Sequence, residues 1–205
     1  MGMEIMCFDL EGVLVPEIWI NVAEQTGIEG LRLTTRDVAD YDELMTYRLK
    51  LLDEHHLGIA DLQRVIAGLR PLPGAREFLD WVRERFQVVI LSDTFYDFAA
   101  PLMAQLGRPA LLCHNLEIED GRVTGYKIRL EAQKAAAVRA FQGLNFSVFA
   151  VGDSYNDTAM LLAADRGFLF NPPPNVVEQF PGLPVVRTYD ELRAALVAAS
   201  SRQIG

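Results

Sequence analysis

The sequence is short of cysteine, of basic residues and of long apolar runs, and each shortage excludes a class of protein. Only two cysteines occur, Cys7 and Cys113, each in an apolar stretch. Two reduced core thiols are expected rather than a disulfide framework, which fits a cytoplasmic location. Lysine and arginine number 19 against 28 aspartates and glutamates, a net charge of −9 at pH 7. Nucleic acid and anionic membrane surfaces both require a basic footprint, so neither is an expected partner. No apolar run reaches the ~18 residues of a membrane span. The start, Met1-Gly2-Met3-Glu4, lacks the basic region of a secretory signal, and Met6 stands where a myristoylation pattern needs Ser or Thr. Repeats and low-complexity segments are also missing. What is present is 205 residues, 50% hydrophobic and 23% charged, the composition of one globular core with room for an insertion. A chain of this size buries roughly 70% of its unfolded surface, enough for a substantial core.

Short apolar runs alternate with amphipathic segments, the pattern of a parallel sheet with helices on its faces. Strands are expected at residues 4–9, 87–92, 109–113, 147–153 and 167–170, and helices at 74–84, 95–106, 131–141, 157–163 and 189–199. Val88-Val89-Ile90-Leu91 is unbroken, as a strand buried on both faces should be. Residues 16–70 break the alternation, with helix-like stretches at 17–26, 41–56 and 60–69 but no strand. They are expected to form a helical cap inserted into a core made of residues 1–15 and 71–205. Asp120-Gly121 between alternating residues signals a small β-hairpin over 116–127. The expected fold is thus α/β: a Rossmann-like doubly wound parallel sheet with an inserted helical cap and a hairpin.

Acids gather at strand ends. Asp9 and Glu11 close the first strand ahead of Gly12, and lie on one face if the strand continues. Asp153 closes the strand over 147–153, and Asp157 follows at a helix start. Ligands bind at the carboxyl ends of strands in such sheets. Single acids there cap helices or meet solvent, but four carboxylates at two strand ends repel one another and call for a cation; hard oxygen ligands suit Mg²⁺. Ser92-Asp93-Thr94 ends the strongest strand before a helix, an arrangement that serves equally as a cap or an anion site. Lys134, in the first turn of a helix, opposes the helix dipole and can reach the same edge; Lys127 is its rival but falls in the hairpin. His55 and His56 are adjacent and point about 100° apart on a helix, so they do not chelate together. They are read as a helix end, His114 as a loop residue, and Trp19 and Trp81 as packing.

Together these residues resemble the haloacid-dehalogenase superfamily over almost the whole chain. Asp9–Val13 matches its first motif, Ser92 its second, Lys134 its third, and Asp153 with Asp157 its fourth. Cap position resembles that of phosphoserine phosphatases. One departure is Glu11, where the family usually has Asp. The run from Asp9 to Trp19, with Tyr41-Asp42, Arg48, Leu52-Asp53-Glu54-His55 and Ser92–Tyr96, resembles a branch that also transfers phosphate to homoserine. The resemblance implies a nucleophile at Asp9, an acid–base at Glu11, and phosphate held by Ser92 and Lys134. It implies Mg²⁺ on Asp9, the Glu11 carbonyl and Asp153, with Asp157 in support, and a substrate bounded by Glu17, Arg48, Ser92, Asp93, Lys134 and Asn156. In it Glu17 takes the amino group of L-phosphoserine and Arg48 its carboxylate. Taken alone, Glu17 reads as a helix N-terminal acid and Arg48 as a snorkelling surface arginine.

The implied activity is a phosphoserine phosphatase with L-homoserine as a second acceptor, in a cytoplasmic monomer or homodimer. The alternatives are a phosphatase for another small phosphomonoester, such as phosphocholine or a sugar phosphate, and a non-enzymatic phosphoaspartate switch. The second would have no use for a cap or for Glu11.

Overall fold

A computed structural model describes residues 3–34, 37–38 and 40–203. Among the described residues, seven strands form one sheet in the order β4-β3-β2-β1-β5-β6-β7. They are β1 (Met3–Phe8), β2 (Gln87–Phe95), β3 (Ala110–Glu119), β4 (Arg122–Lys127), β5 (Phe146–Gly152), β6 (Arg166–Phe170) and β7 (Val185–Val186). Every pairing is parallel except β3 with β4. The alternation of side chains along a strand splits the interior in two. Met6, Phe8, Ile90, Phe149 and Val151 face one apolar cluster. Ile5, Cys7, Val89, Val148 and Ala150 face the other.

Helices cover both faces. The first cluster takes α4 (Ala75–Arg83), α5 (Tyr96–Gln105) and α9 (Tyr189–Ala199), through Phe78, Phe98 and Leu192. The second takes α6 (Gln133–Gly143), α7 (Thr158–Ala163) and α8 (Pro174–Gln179), through Val138, Met160 and Val176. The doubly wound α/β expectation is met. β7 and α8 escape a sequence reading because two strand residues, and six helical ones that begin on the third of three consecutive prolines, carry too little periodicity. Cys7 and Cys113 are buried free thiols.

Residues between β1 and α4 form α1 (Ile18–Thr26), a 3₁₀ turn (Glu29–Arg32), α2 (Tyr41–Glu54) and α3 (Ile59–Gly68). Gly27, left-handed at φ 71°, ends α1. The Asp40 carboxylate starts α2 by accepting the Glu43 amide at 2.9 Å. The chain leaves and returns side by side, for the Leu72 amide donates to the Leu14 carbonyl at 2.9 Å. α3 packs on α5, where Pro101 cannot donate to the Asp97 carbonyl four residues earlier. Gln63 of α3 fills the gap, its amide donating to that carbonyl at 3.1 Å.

The hairpin differs from expectation in extent. The short strand expected at 109–113 runs on to Glu119, pairing with β2 by its first half and with β4 by its second. His114 therefore sits buried in a strand, not in a loop. The hairpin also meets the helical segment. Arg122 pairs with Asp53, the Tyr126 hydroxyl donates to Asp42, and the Ile59 amide donates to the Gly121 carbonyl at 2.9 Å.

The C-terminal tail is clamped onto β1. Glu4, only 3% exposed, accepts from the Ser200 hydroxyl (2.7 Å), the Ser201 amide (2.8 Å) and hydroxyl (2.9 Å), and Arg202 Nε (3.0 Å). Burial disfavours its charge, but these donors outweigh burial and hold its pKa below the usual glutamate value. A depressed carboxylate stabilises the fold above its unfolded pKa and loses that contribution as pH falls through its folded pKa. Glu4→Gln is expected to cost about 1–3 kcal/mol at neutral pH, with the gap to wild type closing toward about pH 3 in urea unfolding curves.

Candidate active site

The candidate residues meet at the carboxyl edge of β1, β2 and β5. Asp9 follows β1, its amide donating to the Val151 carbonyl at 2.9 Å, which carries the ladder one residue past the strand. Then the chain turns. The strand does not continue to Glu11: the Gly12 amide donates to Val15 at 2.8 Å, with Gly12 at φ +78°. A Cβ at Gly12 would lie 2.5 Å from the Asp153 carboxyl carbon, so the turn and the acid fit only because no side chain intervenes. Gly12→Ala is expected to cost about 2–4 kcal/mol from left-handed strain plus overlap, read by equilibrium unfolding. An unchanged unfolding curve would mean that the turn relaxes freely.

Lys134 is the hub. Its Nζ lies 2.8 Å from Asp9 Oδ1, 2.8 Å from Asp157 Oδ1 and 3.4 Å from Asp93 Oδ2. It is buried, and although burial disfavours its charge, the surrounding carboxylates raise its pKa well above the usual lysine value. Asp157 is fully engaged: besides Lys134, it accepts from the Asp153 and Ser154 amides at 3.1 Å each and from the Ser154 hydroxyl at 3.2 Å. It shapes the loop after β5. Burial and the Asp157 charge push Asp9 well above the ordinary aspartate value, with Lys134 opposing them.

Asp9, Asp153 and Asp157 each place an oxygen within 4.8 Å of the others. One ammonium does not balance these acids and Asp93. An all-carboxylate donor set with surplus negative charge fits a hard divalent cation.

Ser92, buried near the end of β2, accepts the Thr94 amide at 3.3 Å. Asp93 beside it is opposed by burial, but Lys134 and the Gln133 amide hold its pKa below the usual range. Glu11 turns its carboxylate to the Ile18 amide at 2.7 Å, satisfying one open donor at the start of α1. Burial and the neighbouring Glu17 raise its pKa to about 7, against the pull of the Ile18 amide, Arg48 and Lys134. A carboxyl poised there can give a proton and take one back at neutral pH.

Arg48 is buried rather than snorkelling. One Nη donates to the Leu33 carbonyl at 2.7 Å, and the guanidinium carbon lies 4.5 Å from the centre of the Trp19 ring. A cavity of about 510 Å³ takes in all ten sequence candidates except Asp157, which lies behind it: Asp9, Glu11, Glu17, Arg48, Ser92, Asp93, Lys134, Asp153 and Asn156 line it. Lys127 is exposed on β4.

Sequence reasoning missed Gln133 and His114. The Gln133 amide donates to the Ser92 carbonyl at 2.6 Å and to Asp93 Oδ1 at 3.1 Å, tying the end of β2 to α6. His114 accepts the Arg129 amide on Nδ1 at 3.1 Å, and burial lowers its pKa. Adjacency to Lys134 was the only signal for Gln133. Tyr41 and Trp19, read as cap landmark and packing, also line the cavity.

A family model for haloacid dehalogenase-like hydrolases matches residues 15–162. The chain belongs to this family. The match begins after Asp9 and Glu11, so those two rest on the geometry above. Two curated members resemble the chain along nearly its full length. Phosphoserine phosphatase ThrH of Pseudomonas aeruginosa is 60% identical over 203 residues, 98% of this chain and 99% of its own. A phosphoserine phosphatase of Pseudomonas syringae pv. tomato is 58% identical over 204 residues, 99% of this chain and 86% of its own. Solved structures named as phosphoserine phosphatases share the fold. A phosphoserine phosphatase from T. onnurineus in complex with NDSB-201 superposes with a TM-score of 0.73 at 24% identity, covering 95% of this chain and 94% of that one. A substrate-bound phosphoserine phosphatase complex gives 0.76 at 20% identity, with 98% and 100% covered.

Proposed function

We propose that this hydrolase is a Mg²⁺-dependent phosphoserine phosphatase that works through an aspartyl-phosphate on Asp9 and also passes the phosphoryl group to homoserine. The observation that carries this reading is a single cavity lined by Asp9, Ser92 and Lys134 together with the opposite charges of Glu17 and Arg48. The names of the two Pseudomonas relatives support the substrate, and the resemblance of Glu11 and its surroundings to the transferring branch supports the second acceptor.

An Asp9 carboxylate oxygen attacks phosphorus, and the bond from phosphorus to the serine oxygen breaks. Glu11 gives its proton to that oxygen, and serine leaves. Glu11 then takes a proton from water or from the homoserine hydroxyl as that oxygen attacks the aspartyl-phosphate, which restores Asp9. Ser92 and Lys134 meet the charge spread over the phosphoryl oxygens, and Asn156 and Asp157 keep Lys134 and its loop in place. Bound by Asp9, Asp153 and the Glu11 carbonyl, Mg²⁺ would supply the positive charge that brings a phosphate dianion to an acidic site. In this reading residues 16–70 act as the cap over the core. Glu17 holds the substrate ammonium and Arg48 its carboxylate.

The test is phosphate release from L-phosphoserine with Mg²⁺ and with EDTA, repeated with L-homoserine while following O-phosphohomoserine by mass. EDTA-sensitive release with the new product is expected. Release without that product would remove the transferase half, and no release would overturn the substrate.

A further inference from the structure

Arg48 is a buried cation with an incomplete set of partners. Its side chain lies in α2, only 6% exposed. One Nη has a strong acceptor, the Leu33 carbonyl. Among the described residues the other meets only the Met45 sulfur at 3.7 Å, a weak acceptor. Nε is buried with no hydrogen-bond partner among the described residues. Burial lowers the pKa to about 10, against the pull of Glu11, Tyr41 and Glu17. The group is desolvated and charged, and among the described residues no carboxylate lies within ion-pair distance of it, Glu11 and Glu17 acting on it from farther off. A guanidinium grips a carboxylate through its edge, and only when the two planes align. Something must therefore set its plane while leaving edge N–H groups unused.

Trp19 is placed to do so. It is the second residue of α1, 8% exposed, and its ring is braced edge-on by Phe98 with centroids 5.2 Å apart. The Arg48 guanidinium lies over its face at 4.5 Å. A flat aromatic face fixes the plane of a stacked guanidinium and takes up none of its N–H donors. Both residues line the cavity that holds Asp9 and Glu11. We infer that Trp19 is a positioning residue that orients Arg48 for a substrate carboxylate and so sets the preference for amino-acid phosphomonoesters. The inference rests on the proposed role of Arg48.

Two substrates separate that role from plain packing: L-phosphoserine, and O-phosphoethanolamine, which keeps the ammonium and phosphate but lacks the carboxylate. Wild type should prefer phosphoserine. Trp19→Leu is expected to raise KM for phosphoserine roughly 3–30-fold, with kcat within about twofold. Trp19→Phe, which keeps a ring face, should stay within about threefold of wild type on both parameters. Phosphoethanolamine kinetics should be unchanged in both variants. If Trp19→Leu proves too unstable to assay, Trp19→Met fills the space without a ring face and should behave as predicted for Leu. An unaltered phosphoserine KM, an equal loss on both substrates, or failure of Phe to rescue would overturn the role of Trp19. A wild type that does not distinguish the two substrates would overturn the role of Arg48 itself, whatever the Trp19 variants do.

Discussion

Asp9→Asn is expected to lower phosphate release by at least about four orders of magnitude, because the amide is not a nucleophile and nothing else at the end of β1 can replace it. Asp9 is buried with Lys134 2.8 Å away, and Glu11 points its carboxylate at the Ile18 amide. The same variant should not be less stable in EDTA. Burial and Asp157 already push Asp9 away from its charged form. Asparagine removes that repulsion, and Lys134 keeps its contacts with Asp157 and Asp93. Lost activity with an equal or higher melting temperature is the expected signature of a nucleophile whose placement costs stability. Phosphate release near the wild-type rate in a preparation free of wild-type enzyme would remove Asp9 from that role.

Lys134→Met carries the second large effect, and here activity and stability fall together. Methionine fills a similar volume but leaves Asp9 and Asp157 without the cation that each meets at 2.8 Å. Breaking a buried pair by removing one partner costs about 3–5 kcal/mol. Activity should drop roughly a thousandfold, since a phosphoryl group would lose a fixed positive neighbour. Two further measurements separate this from a simple packing loss. The destabilisation should shrink at acid pH, because Asp9, whose pKa is already raised, can then be protonated and no longer needs the ammonium. Millimolar Mg²⁺ should restore part of the stability at neutral pH, because a cation bound by native carboxylates favours the folded state by mass action. Stability indifferent to both pH and Mg²⁺ would show that these acids do not act as one charge-coupled site.

Much of this molecule is legible without coordinates, for a physical reason. A strand buried on both faces must be apolar throughout, so Val88–Leu91 and Val148–Val151 announce central parallel strands. Acids placed where such strands end have no packing role, which makes Asp9 and Asp153 visible. Chain order and hydrophobic period thus determined the doubly wound sheet, the helical stretch between β1 and α4, and the carboxylate and lysine candidates. Tertiary structure decided what those residues touch. Lys134 finds Asp9 across 125 residues of chain, and Gln133 reaches Ser92 across 41. A pairing set by how helices dock on a sheet has no local signature. Arg48 is ambiguous on paper because an arginine in an amphipathic helix reads as a solvated one. Only the folded arrangement, which lays Arg48 of α2 over Trp19 of α1, shows it buried. Glu11 is likewise an ordinary acid in the sequence. Its pKa near 7 comes from burial and Glu17, set against the Ile18 amide and Arg48, and that balance exists only once the chain is folded.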